Sequence, residues 1–152
     1  MVDRVNKKEQ QLSDHATLAL HLDQLMRRMH RDLHPKASEV DAPKVGPLGG
    51  MVLMTIEENE PVSVQAVARL VARDKGQITR FLQTLERKGL VVRTPSATDG
   101  RVSLLQLTAE GRTLVAGFRG AVTDVVGGLL VDVEPEARAQ LLEIIKTMLR
   151  AP

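Results

Sequence analysis

The sequence predicts a mainly α-helical fold that contains one small β-hairpin. Three observations support this prediction. Apolar residues recur at three- and four-residue steps near both ends of the chain, which is the spacing of amphipathic helices. Two short helical segments follow each other between Pro61 and Gly89, separated by a tight turn. Two apolar segments around a turn-rich stretch come next, as in a hairpin. This order is that of a helix-turn-helix followed by a wing.

The first third of the chain is predicted to contain two helices. Apolar residues follow helical spacing over about residues 12–33. His34-Pro35 is expected to end this helix, because the residue before a proline is disfavoured in the helical conformation. A loop rich in proline and glycine is expected over 35–47, and a second helix over 48–58.

The next two helices carry recognisable end signals. Ser63 suits the N-cap of a short helix, and Asp74 with Gln77 has the spacing of a capping box for the following helix. Gly89 stands where a glycine commonly follows the last turn. The stripes expected to face the core are Val64, Val67, Ala68 and Val71 in the first helix, and Ile78, Phe81, Leu82 and Leu85 in the second.

The predicted wing and two further helices complete the chain. Strands are expected over 90–94 and 102–107, with a dense run of turn formers between them. Thr108 suits the N-cap of a long helix, and Pro135 suits the first turn of a last helix.

The terminal helices carry more apolar surface than one small winged helix is expected to cover. An exposed stripe of that size normally marks an interface, so we expect a homodimer. The predicted division is a winged helix-turn-helix region at 48–107 and a helical dimerisation region at 1–47 and 108–152, intertwined as one domain. The expected dimerisation residues are Leu12, Leu18, Val122, Val125, Val126, Leu129, Leu141, Leu142, Ile145 and Leu149.

Positive charge is concentrated in the centre of the sequence. From Pro61 to Arg112 there are nine Lys or Arg and four Asp or Glu, a difference of +5. The whole chain carries +2, so the remainder carries −3. A basic centre between mildly acidic ends indicates a surface that faces a polyanion.

The outward face of the helix after Asp74 suits a DNA major groove. Arg80 can bond guanine O6 and N7 with two donors, and Gln83 can pair similarly with adenine. Such a stripe by itself is more often a solvated helix face. The helix-turn-helix spacing and the following hairpin reverse that preference. Lys75, Arg87 and Arg93 are then expected to hold phosphates.

The predicted wing tip carries Asp99-Gly100-Arg101. The Asp99 carboxylate is close enough in sequence to orient the Arg101 guanidinium, which is expected to enter a minor groove. Asp99-Gly100 is also simply a good turn.

Five sequence segments together resemble the winged-helix core of the MarR family of bacterial transcription regulators. The resemblance extends over nearly the whole chain and rests on 64–70, 78–80, 85–91, 99–101 and the Leu-Thr-x-x-Gly sequence of 107–111. It implies an obligate homodimer that acts as a ligand-responsive repressor on pseudo-palindromic duplex DNA. The full set of expected DNA-binding residues is Ser63, Lys75, Gln77, Thr79, Arg80, Gln83, Thr84, Arg87, Arg93, Thr98, Asp99 and Arg101.

The resemblance also implies an effector pocket between the dimerisation helices and the winged helix. Its expected lining is Met26, His30, Met51 and Phe118, which suits an apolar effector, although these residues are equally good core. His30 and His34 have a spacing that can chelate a metal. No third ligand is in view, so we expect polar surface there and no metal or cofactor.

Several other classes are disfavoured. The absence of cysteine excludes disulfides and thiolate metal sites, and no catalytic motif indicates an enzyme. No apolar run approaches the ~20 residues of a membrane helix, and the polar start does not resemble a signal peptide. We therefore expect a cytoplasmic regulator. The alternative is a winged-helix protein-interaction module that does not bind DNA.

Overall fold

The computed structural model describes residues 2–41, 44–99 and 102–150, with side chains from residue 13 onwards. The elements are α1 (Val2–Val40), α2 (Gly46–Asn59), β1 (Val62–Ser63), α3 (Val64–Leu70), α4 (Lys75–Arg87), β2 (Val91–Pro95), β3 (Ser103–Leu107), α5 (Ala109–Leu129) and α6 (Pro135–Arg150). The predicted mainly helical winged helix-turn-helix is confirmed. None of the described helices is both long and apolar enough to cross a membrane.

The core lies between α2, α3, α4, α5 and the small sheet. The predicted stripe of α3 is buried, and Ile78, Leu82 and Leu85 of α4 are almost fully enclosed, with Phe81 packed at the edge. Leu105 from β3 and Val115 from α5 close the core from the opposite side. α4 is thereby fixed with one face inward and the other outward.

The three predicted helix starts are confirmed by their hydrogen bonds. In each, the cap side chain accepts a backbone N–H that the first helical turn leaves without a partner. The bonds are Ala66 N to Ser63 Oγ (3.2 Å), Gln77 N to Asp74 Oδ1 (3.1 Å) and Gly111 N to Thr108 Oγ1 (3.0 Å).

The end of α4 is fixed by Gly89, which has φ +71° as its predicted place after the last turn requires. The Leu90 amide donates to the Leu85 carbonyl at 3.0 Å, and the Gly89 amide donates to Glu86 at 2.9 Å. This pair of bonds is the Schellman motif. It turns the chain directly from α4 into β2, so the wing begins beside the end of α4.

The expectation that the first helix ends before Pro35 is wrong, because α1 continues to residue 40 with Pro35 inside it. A proline inside a helix costs a few kcal/mol through the lost N–H and a clash with the preceding turn. Here Ala37 and Val40 pack against the core beyond the proline, and the Ser38 hydroxyl donates to the His34 carbonyl at 2.8 Å. Tertiary packing therefore offsets the local cost.

Two further differences concern α2 and the sheet. The Asp41 carboxylate accepts the amides of Val45 (2.8 Å) and Gly46 (2.7 Å), so α2 begins at residue 46 and the loop is shorter than predicted. Residues 62–63 form a third, two-residue strand, and the strand order is β1-β3-β2, all antiparallel. A strand this short carries too little pattern to be recognised from the sequence.

The apolar stripe of α5 is partly covered by its own chain. Val125 is only 6% exposed, and Val122, Val126 and Leu129 are half-buried, because α1 packs along α5. The expectation that one chain leaves this whole stripe uncovered is therefore wrong for Val125. In α6, by contrast, no side chain is buried against the part of the chain that the structure describes.

Arg119 of α5 holds this helix against the last turns of α2. Its Nε donates to Glu57 and its Nη2 donates to Glu58, both at 3.0 Å. The hydrogen bonds to Glu58 and then Glu57 raise the pKa of Arg119 above its usual value.

Glu60 joins the base of the wing to α5. Its Oε2 accepts the Leu107 amide at 2.7 Å, and its Oε1 pairs with Arg112. The Glu60 side chain is only 13% exposed. One carboxylate thus fixes the end of β3 and the start of α5 to the segment that follows α2.

Replacing Glu60 with alanine is expected to lower the free energy of unfolding by about 2 kcal/mol, because the Leu107 amide loses its acceptor in a partly buried position. Urea denaturation at a fixed protomer concentration measures the change. The matched control is Glu58→Ala, whose side chain is 60% exposed; it should cost less than about 0.5 kcal/mol. Equal losses in the two variants would contradict this role of Glu60.

Candidate nucleic-acid interface

The turn between α3 and α4 sets the angle of the exposed helix. Ala72 has φ +51°, and the Arg73 amide donates to the Ala68 carbonyl at 2.9 Å. The predicted tight turn is present at these residues. Since the inner stripe of α4 is buried, its opposite face points to solvent along the whole helix.

The outer face of α4 carries side chains that are predicted to contact DNA. Gln77, Arg80, Gln83 and Arg87 are exposed. Within the described part of the chain, the Arg80 side chain makes no hydrogen bond or ion pair. Its five N–H donors are therefore available to a partner from outside the chain.

The flanking residues of α4 are already engaged with the helix. The Thr79 hydroxyl donates to the Lys75 carbonyl at 2.7 Å, and the Thr84 hydroxyl to the Arg80 carbonyl at 3.4 Å. Arg87 Nη2 donates to Thr84 Oγ1 at 3.1 Å. Thr79 and Thr84 consequently offer an acceptor oxygen and a methyl group toward a partner, rather than a free donor.

Ser63 and Lys75 lie at the starts of the two helices. The Ser63 hydroxyl oxygen is occupied by its cap bond and the residue is half-buried. Lys75 is exposed at the first position of α4. A lysine beside a helix N-terminus combines its charge with the free amides of the first turn, which suits a phosphate.

The wing projects beyond the core. In β2 only Val91 is buried, while residues 92–95 are exposed. The Ser96 amide donates to the Val102 carbonyl at 2.8 Å, and both Thr98 and Asp99 are exposed at the tip. Arg101 lies outside the described residues, so its orientation by Asp99 stays a prediction.

Arg93 has a partner that the sequence pattern does not predict. Its Nε donates to Glu86 Oε1 of α4 at 2.7 Å. Glu86 and Arg93 are seven residues apart and belong to different elements, so helical or strand spacing gives no signal for the pair. Together with Arg112 on Glu60, this pairing means that carboxylates engage at least two of the nine central cations.

A cavity of about 140 Å³ lies between α1, α2 and α5. Of the four residues predicted to line an effector pocket, His30, Met51 and Phe118 do so. Met26 does not, and its side chain is 62% exposed, because it lies one turn of α1 beyond the cavity. The remaining lining residues are Leu33, His34, Ala37, Ser38, Asp41, Gly46, Pro47, Gly50, Met54 and Val122.

The two walls of this cavity differ in chemistry. His30 and His34 face it from α1 and Asp41 from the residue after that helix, whereas Met54 and Phe118 are among the apolar residues of the other helices. Asp41 is already used at the start of α2. Among the residues that the structure describes, no group of three or more His, Cys, Asp or Glu is placed to hold a metal ion.

The expected dimerisation residues lie on the three long helices. Leu18 on α1 and Leu141, Leu142, Ile145 and Leu149 on α6 are exposed. Leu12 lies within α1, but its side chain is outside the described part of the structure.

Comparisons with known proteins agree with this geometry. The model of the MarR family matches residues 50–103, which include α3, α4 and most of the wing. The HTH-type transcriptional regulator SarZ of Staphylococcus aureus is 36% identical over 66 residues, which is 43% of this chain and 45% of SarZ. The uncharacterized HTH-type transcriptional regulator YdgJ of Bacillus subtilis is 27% identical over 97 residues, 64% of this chain and 59% of YdgJ. The matched stretch thus spans about half the length of these curated relatives.

Among solved structures, the transcriptional repressor CouR bound to a 23-mer DNA duplex superposes with a TM-score of 0.69 and 25% identity. The superposition covers 88% of this chain and 92% of CouR. The likeness therefore includes the long terminal helices as well as the winged helix.

Proposed function

Because this chain belongs to the MarR family, we propose that it is a transcription regulator that binds duplex DNA as a homodimer and represses in response to a small effector. α4 would enter the major groove as the recognition helix, and the wing would reach the neighbouring minor groove. A regulator of this bacterial family acts on the chromosome, so its place of action would be the cytoplasm.

The exposed outer face of α4 carries this proposal. Arg80 and Gln83 are the residues proposed to contact base edges, since Arg80 has no partner within the described chain and both side chains are exposed. Lys75 and Arg87 are proposed to hold phosphates on either side. CouR, which shares the fold, is bound to a DNA duplex in its solved structure. The partner expected here is likewise double-stranded DNA.

The proposed dimer rests on α6. This helix turns six large apolar side chains to solvent, the last of them 80% exposed. Leaving such a stripe in water is unfavourable by about 25 cal/mol per Å² of apolar surface, and a second copy of the same helix offers a matching stripe. We propose that 1–47 and 108–152 form the dimerisation region and 48–107 the DNA-binding region. The α6 residues are Leu141, Leu142, Ile144, Ile145, Met148 and Leu149.

The proposed effector site is the cavity between α1, α2 and α5. It adjoins both the long helices and α2, which leads directly to β1 and the helix-turn-helix. A ligand that favours one spacing of these helices would shift the dimer between forms with different separations of the two recognition helices. The apolar wall formed by Met51, Met54 and Phe118 favours a largely apolar effector.

DNA binding is tested by fluorescence-anisotropy titration with the duplex upstream of the gene, at low and at moderate salt. The expected result is saturable binding that weakens steeply with salt, because phosphate contacts release counterions. A randomised-site selection supplies the operator when the upstream duplex lacks one. Flat titrations with every selected duplex would favour the alternative, a winged-helix protein-interaction module without DNA binding.

Replacing Ile145 with glutamate is expected to convert a dimer at micromolar concentration into a monomer, because it places a charge in the centre of the α6 stripe. Light scattering with a concentration series measures the mass. The matched control is Thr147→Glu, which adds the same charge on the opposite side of α6 and should leave the dimer intact. A monomeric wild-type protein would contradict the two-half-site arrangement.

A further inference from the structure

The ion pair between Glu86 and Arg93 joins the recognition helix to the wing. Arg93 Nε lies 2.7 Å from Glu86 Oε1, and the two side chains are 26% and 29% exposed for Glu86 and Arg93 respectively. The pair is thus partly withdrawn from water, where an ion pair contributes more than it does at a fully exposed position.

The position of this ion pair along β2 determines which part of the wing it can restrain. β2 is an edge strand of the sheet, and Val91 is its only buried residue. Arg93 pairs with Leu105 and Thr94 with Leu104, and these two residues of β3 also pair with β1, so the sheet has three strands as far as Thr94. Beyond Thr94 the wing has two strands, and a two-stranded hairpin by itself is only marginally stable. The ion pair holds the edge strand to α4 just before this two-stranded part begins.

We propose that Glu86 and Arg93 form a brace that fixes the wing relative to the recognition helix, and that Arg93 acts as a positioning residue rather than a phosphate contact. This inference rests on the proposed DNA binding. α4 and the wing would have to enter neighbouring grooves together, and the groove spacing of the duplex is given. A wing already held at the matching position loses less conformational entropy on binding.

The proposed brace predicts that removing the negative charge of Glu86 weakens DNA binding, which is the opposite of the usual electrostatic effect. Glu86 is a negative charge near the proposed phosphate surface, so a bystander carboxylate would weaken DNA binding and its removal would strengthen it. In the brace, removal of Glu86 frees the wing and binding becomes weaker. Glu86→Gln therefore separates the two roles by the direction of the change.

The test uses the full-length protein with Glu86→Gln, Arg93→Gln and the double variant, titrated against the selected operator at several salt concentrations. Each single variant is expected to bind about tenfold more weakly, since one such pair contributes about a threefold factor and a dimer carries two pairs. The double variant is expected to bind no more weakly than the worse single variant. Tighter or unchanged binding by Glu86→Gln, or additive losses, would overturn the brace and return Arg93 to a phosphate contact.

Amide hydrogen exchange on the free protein supplies a readout that does not depend on DNA. Glu86→Gln is expected to speed exchange at the wing, notably at the Ser96 amide, while the control Glu58→Gln leaves it unchanged. If the wild-type protein bound no duplex, the proposed function would fail while exchange still tested the brace. Unchanged exchange in Glu86→Gln would overturn the brace even if its DNA affinity fell.

Discussion

Replacing Arg80 with alanine is expected to weaken binding to the operator by about 100-fold or more. One bidentate contact between arginine and guanine contributes about 1–3 kcal/mol of discrimination, and a dimer makes two such contacts. Arg80 is exposed and has no partner within the described chain. Its guanidinium is therefore free to contact a base. Anisotropy titration against the operator and against duplexes altered at each position measures the loss.

Arg80→Lys is the informative companion variant. Lysine keeps the charge but lacks the planar fork, so it should retain binding to any duplex while losing the preference for one base pair per half-site. If alanine weakened binding to all duplexes equally and lysine restored it, Arg80 would be a phosphate contact. A direct base contact requires instead that the loss depend on sequence.

Replacing Gly111 with alanine is expected to lower the free energy of unfolding by about 3 kcal/mol, the upper part of the range for overpacking. A Cβ at this position would lie far inside contact distance of the Leu90 carbonyl oxygen. That oxygen also accepts the Thr108 amide at 3.1 Å, so the backbone there cannot move away without breaking a bond. Urea denaturation at one fixed protomer concentration measures the loss.

Gly120→Ala is the matched control in the same helix. A Cβ at Gly120 meets no atom within 4 Å, and alanine is favoured over glycine in a helix by about 1 kcal/mol. The control should therefore stabilise the protein slightly. A similar small gain in Gly111→Ala would contradict the close approach of α5 to the start of the wing.

Gly111 also shows what a sequence motif means physically. The glycine of the Leu-Thr-x-x-Gly sequence contributes to the resemblance to the MarR family. In the structure its amide caps onto Thr108, and its missing side chain lets α5 rest on the Leu90 carbonyl. Thr108 itself donates to the Gly89 carbonyl at 2.6 Å. The motif thus connects the end of α4 and the wing to the start of α5.

Local signals predicted most of the secondary structure correctly. The caps at Ser63, Asp74 and Thr108 and the glycine at position 89 are interactions within a few residues, so the sequence contains both partners. The buried stripe of α4 follows from helical periodicity alone, and its outward face is the complement of that stripe. The proposed recognition surface was therefore predictable residue by residue.

The errors arose where distant parts of the chain meet. Pro35 is a local signal for a helix end, yet packing of α1 against α5 carries the helix past it. Val125 was assigned to an uncovered stripe, although its own chain leaves it only 6% exposed. Met26 was expected to line the cavity from the resemblance to the MarR family, but only the packing of three helices determines where the cavity closes.

The sequence by itself determined the order of the helices and the hairpin, the resemblance to the MarR family, the concentration of positive charge and the outward face of α4, because each depends on residues that are close along the chain. Only the tertiary structure decided which of those charges remain available. Glu86 forms an ion pair with Arg93, and Glu60 forms one with Arg112, which lies 52 positions away in the sequence. An ion pair depends on distance in space, and that distance is set by how the helices and the sheet pack together.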